Sequence, residues 1–67
     1  MTKGTVKWFN VRKGYGFIIP ESGGKDIFVH ITTVQEMGLP KLSEGAKIYY
    51  EPYDDRGRIA AGNLRLL

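Results

Sequence analysis

Three runs in the first half of the chain alternate with period two, and each separates aliphatic from aromatic side chains. Thr5-Val6-Lys7-Trp8-Phe9, Tyr15-Gly16-Phe17-Ile18-Ile19 and Asp26-Ile27-Phe28-Val29-His30 are rich in β-branched and aromatic residues, so each reads as a short strand with two unlike faces. Tyr15 and Phe17 fall on one face and Ile18 on the other; Phe28 and His30 share a face opposite Ile27 and Val29. Asn10 to Gly14 joins the first two runs, and Pro20-Glu21-Ser22-Gly23-Gly24-Lys25 joins the next two. Such tight connections predict an antiparallel meander.

The remaining chain supplies two more strands, near Ala46 to Tyr53 with Ile48 and Tyr50 on one face, and Arg58 to Leu66, around a turn at Asp54-Asp55-Arg56-Gly57. Between them and the meander, residues 31 to 45 form one long connection. There Thr33-Val34-Gln35-Glu36 has capping-box spacing and predicts a single helical turn, stopped by Gly38 and Pro40. A chain of 67 residues is one domain, residues 1–67, and cannot cover the open edges of two sheets. The expected fold is therefore all-β, a five-stranded antiparallel closed β-barrel. Val6, Ile18, Ile27, Val29, Ile48 and Leu64 are the expected core, with Tyr50 facing it, and the rings are left outside. Burying Tyr15, Phe17 and Phe28 instead would force Ile18, Ile27 and Val29 into solvent. Trp8 breaks the pattern, because strict alternation places it with Val6 and places Phe9 with Lys7; a bulge in the first strand would turn Trp8 outward.

Composition narrows the chemistry. There is no cysteine and one histidine, His30, so neither a disulfide nor a metal cage is expected. His30 has no nucleophile motif beside it, and Asp54 and Asp55 read as turn formers, so no catalytic residue, cofactor or enzymatic activity is expected. Lys3, Lys7, Arg12 and Lys13 interrupt the first twenty residues without a long apolar run, which predicts no secretory leader or membrane span and a soluble, cytoplasmic protein. Residues 1 to 25 carry five basic side chains against Glu21, whereas residues 26 to 67 carry six acidic against five basic. Five of the eight aromatics also lie within the first 28 residues. Cations interleaved with rings suit a polyanion bearing flat groups, namely single-stranded RNA or single-stranded DNA. A peptide-binding barrel would use the rings but not the charge, and a duplex offers no unstacked base.

Lys13-Gly14-Tyr15-Gly16-Phe17-Ile18 matches most of the ribonucleoprotein pattern, with Ile18 for valine and Pro20 at the last aromatic position. Gly14 and Gly16 are expected to leave the rings uncovered, so that a base can lie flat on Tyr15 or Phe17, with Lys13 beside a phosphate. Together with Lys7-Trp8-Phe9-Asn10 and Asp26-Ile27-Phe28-Val29-His30, this run closely resembles the bacterial cold-shock protein family. Leu42, Glu44-Gly45 and Ala60-Ala61-Gly62-Asn63 resemble its later segments, so the resemblance covers essentially the whole chain. It implies an oligonucleotide-binding (OB) barrel whose outward rings stack unpaired bases. It implies an ATP-independent nucleic-acid chaperone with roles in transcription, translation and cold adaptation. Residue by residue it implies binding by Lys7, Trp8, Phe9, Lys13, Tyr15, Phe17, Asp26, Phe28, His30 and Arg56. Ile31 and Leu39 stand where the family usually has phenylalanine, so the strand path is expected to pass them with less stacking. A monomer is expected, and a dimer remains compatible.

Overall fold

The computed structural model describes residues 2–66. Five strands and one short helix follow in the order β1 (Thr2–Asn10), β2 (Tyr15–Pro20), β3 (Ile27–His30), α1 (Ile31–Glu36), β4 (Lys47–Asp55) and β5 (Arg58–Leu66). Each strand pairs with two others, and the pairings close into a barrel in the order β1-β2-β3-β5-β4. The all-antiparallel expectation is corrected at one seam, where β3 and β5 run parallel and meet at Phe28 and Ala60. A ring with an odd number of strands cannot alternate direction all the way round, so closure of five strands forces one parallel seam.

The first strand is shared between two neighbours. Thr2 to Thr5 pair with β4 while Gly4 to Asn10 pair with β2. The two pairings overlap at Gly4 and Thr5, and a Cβ on Gly4 would lie 2.6 Å from Ile18 Cγ2 and 2.9 Å from the Ile19 carbonyl. Further along, the β1–β2 register slips between Val6 and Trp8, so that Val6 faces Ile18 and Trp8 faces Phe17. This is the bulge that the parity conflict at Trp8 anticipates, and it re-aims the side chains beyond it. A second slip between Tyr49 and Glu51 lies in the β4–β5 pairing.

The core contains Val6, Ile18, Val29, Ile48 and Leu64 as expected, with Tyr50, Val34, Leu42 and Ala61. Burial raises the Tyr50 phenol above its ordinary pKa. Ile27 is the exception among the expected core residues, being half-buried against the outside of this cluster. The helix also departs from expectation. It starts at Ile31 rather than at Thr33, and its N-cap residue is His30, whose side chain makes no cap bond. Thr33 is buried inside the helix, where it supports packing instead of capping. The Ile31 N–H donates to the Gly14 carbonyl at 2.9 Å, which ties the helix start to the β1–β2 turn. No described helix is long and apolar enough to cross a membrane.

Candidate nucleic-acid interface

Register explains why the rings meet. Trp8 of β1 lies opposite Phe17 of β2, and Phe17 lies opposite Phe28 of β3, so three rings form one row across three strands. Tyr15 and His30 are opposite each other in the adjacent row. Directly facing side chains approach to within contact distance. Trp8 is 5.3 Å from Phe17 and 5.6 Å from Tyr15, centroid to centroid, and Phe28 is 5.6 Å from Phe17, 5.2 Å from Tyr15 and 4.5 Å from His30. Most of these pairs are edge-to-face, while Tyr15 and Phe28 are stacked at 20°. Trp8, Tyr15, Phe17 and His30 remain half-buried on the outside of the barrel.

Phe28 differs from the other rings. It lies on the outward parity of β3 yet is only 6% exposed. The Arg58 guanidinium stands over it, with Cζ 3.9 Å from the ring centroid. The expectation of an open platform at Phe28 is therefore corrected: the ring belongs to the outer cluster but is covered. Nothing local in the sequence reveals the position of Arg58, because the β3–β5 seam brings together residues thirty apart.

Phe9 does not join the cluster. It is half-buried and packs against the core, on the other side of the sheet from Trp8. Gly16 explains how it fits, since a Cβ at Gly16 would meet the Trp8 carbonyl oxygen and lie 2.6 Å from Phe9 Cδ1. The glycine thus makes room for Phe9 beneath the sheet, rather than for a base above it. Leu39 likewise packs against the core from the long connection, and Ile31 is half-buried at the start of α1 beside His30.

The expected binding residues include charged side chains as well as rings. Lys7 Nζ donates to Asp26 Oδ2 at 2.8 Å, so two of the expected binding residues hold each other. Such a surface pair is worth about 0–1 kcal/mol and exchanges readily for a phosphate. Lys13 is exposed, and its backbone N–H donates to Asn10 Oδ1 at 2.9 Å within the turn. Arg56 is exposed at φ 55° in the turn with Gly57, whose N–H donates to Asp54 Oδ1. Asp54 is therefore the turn former that the sequence predicts. Asp55 is not: its Oδ2 accepts from His30 Nε2 at 2.7 Å across the β3–β5 side of the barrel. Among the described residues there is no group of three metal-ligating side chains.

The hydrogen bond from His30 holds the Asp55 carboxyl below its ordinary value of 3.8, opposed by burial and aided by the charges of His30, Arg58 and Arg56. A carboxyl whose pKa is lowered by folding stabilises the fold above its unfolded pKa, and that contribution is lost as pH falls through the folded value. The stability gap between parent and Asp55→Asn should thus be widest near neutral pH and shrink on acidification below about pH 4. Urea midpoints across that range measure it. A gap independent of pH would show that Asp55 and His30 are not bonded.

The comparisons with known proteins agree with this geometry. The family model of the 'Cold-shock' DNA-binding domain matches residues 2–67. A probable cold shock protein of Sinorhizobium fredii is 52% identical over 67 residues, covering 97% of both chains. The cold shock protein CspA of Rhizobium meliloti is 48% identical over 67 residues at the same coverage, and the major cold shock protein of Micrococcus luteus is 43% identical over all of both chains. Matched from end to end and carrying its rings on one outer face, the chain belongs to the cold-shock domain family, whose members bind nucleic acid and are not enzymes.

Proposed function

We propose that this protein binds single-stranded RNA and single-stranded DNA on the outer face of an OB barrel and acts in the cytoplasm as an ATP-independent chaperone that keeps strands unpaired. The observation that carries this reading is the cross-strand row of Trp8, Phe17 and Phe28, flanked by Tyr15 and His30. Rings on a polar surface are costly without a partner. Bases supply one, and stacking on a ring is worth about 1–3 kcal/mol per base. Lys7, Lys13 and Arg56 are exposed cations available to a phosphate backbone, and the net charge of +3 favours a polyanion.

Chaperoning follows from mass action. A protein that binds only the unpaired form stabilises it by RT ln(1 + [protein]/Kd), so hairpins open without ATP hydrolysis. Regulation of transcription and translation then needs no further activity, because both respond to whether a transcript is paired. Titration with a short pyrimidine oligonucleotide should quench Trp8 fluorescence, and the matching duplex should not. Equal quenching by both would remove the single-strand reading.

The two phenylalanine-to-aliphatic departures have unequal consequences. Leu39 packs against the core, whereas Ile31 borders the platform next to His30. Ile31→Phe should therefore raise affinity by up to about 1–3 kcal/mol and lengthen the preferred oligonucleotide by about one base. The slope of log K against log salt should stay the same, since no phosphate contact is added. Titrations with oligonucleotides of graded length test it, and unchanged affinity at every length would place Ile31 off the strand path.

A further inference from the structure

The covered state of Phe28 has no role in a platform that merely waits for bases. Four neighbours enclose the ring: Tyr15, Phe17, His30 and Arg58. Three are fixed on β2 and β3 and belong to the cluster. The fourth is a long, exposed side chain at the first position of β5, directly after the Arg56-Gly57 turn. Its guanidinium sits 3.9 Å from the ring centroid, which is the contact distance a stacked base would need. Both cannot occupy that place.

Among the described residues Arg58 is not held by a carboxylate at contact distance, although its charge is felt at Asp55. The nearby carboxylates of Asp26 and Asp55 are held by Lys7 and His30. Beside Phe28 runs a groove of about 580 Å³ whose lining includes Phe17, Lys25, Arg58 and Ile59. Lys25 and Arg58 on this lining, with the Asp26 carboxylate of the same lining already paired to Lys7, favour a phosphate there.

We propose that Arg58 is a gate on the binding face: it caps Phe28 in the free protein, is displaced by the incoming base, and then takes the phosphate beside that base. The inference rests on the single-strand reading above and adds a residue to it. The two parts of the role respond oppositely to salt. The cap opposes binding by roughly two- to fivefold at any salt, since a ring-bound cation is given up. The phosphate contact favours binding in a salt-dependent way, contributing about 0.7 to the slope of log K against log salt for a single strand.

Arg58→Ala removes both parts and should make the two salt lines cross. For a pyrimidine oligonucleotide followed by Trp8 quenching, the variant should bind about two- to fourfold weaker than the parent near 50 mM salt. Near 1 M, where the phosphate contribution vanishes, it should bind about two- to fivefold tighter. Because Arg58 is exposed, the variant should keep the parent's circular dichroism spectrum. Parallel lines would overturn the phosphate contact. A shallower line that never rises above the parent's would overturn the cap. If the parent itself shows no quenching by the oligonucleotide, the single-strand reading fails and the gate with it; if the parent binds and the lines do not cross, the gate alone fails.

Discussion

Ile18→Ala should lower stability by about 2–5 kcal/mol, the range for truncating a buried isoleucine to alanine. Ile18 is fully buried, lies opposite Val6 on β1 and Ile27 on β3, and fills the space that Gly4 leaves open. Backbone pairing on both sides prevents the strand from collapsing into the gap, so most of the cavity should persist. A domain of this length is expected to have a total stability of roughly 3–10 kcal/mol. The variant should therefore be largely unfolded at moderate urea and partly unfolded when warmed. Its side chain points away from the rings, so the folded fraction should bind with the parent's affinity. Urea unfolding followed by circular dichroism measures the first effect, and titration in a stabilising osmolyte measures the second. A midpoint equal to the parent's would contradict the buried position of Ile18.

Phe17→Ala should weaken single-strand binding by about 1–3 kcal/mol, or roughly 5- to 150-fold, while the barrel survives. Phe17 is central to the row, touching Trp8 on one side and Phe28 on the other, with Tyr15 next to it. Its loss removes one stacking surface and also takes one edge contact from each of Trp8 and Phe28. The salt slope should not move, because the ring makes no phosphate contact. That separates it from Arg58→Ala, whose main signature is a changed slope. An unfolded Phe17→Ala protein, or a folded one with undiminished affinity, would show that this row is not where bases stack.

Much of the platform was legible in the sequence because it depends on local parity. Side chains two apart on a strand share a face whatever the strand pairs with, so Tyr15 with Phe17 and Phe28 with His30 could be grouped without knowing any partner. The opposite parity gave Ile18 and Val29 to the core by the same rule. Even the Trp8 conflict was informative, since only an extra residue in β1 reconciles a buried Val6 with an outward Trp8, and the register slips between those two.

What the sequence determined by itself was therefore the set of short strands, the face each ring would take on β2 and β3, and the kind of partner that rings mixed with cations require. Tertiary structure decided everything that depends on closure. An odd number of strands in a ring forces the parallel seam between β3 and β5, and that seam brings Arg58 over Phe28 and Asp55 to His30, contacts between residues that no spacing in the chain connects. Close approach of β1 and β2 likewise decided that Gly16 yields its space to Phe9 below the sheet. The division has one physical cause. Alternation is a property of a single extended backbone, whereas cover, ion pairing and close approach arise only when strands far apart in sequence are brought against each other.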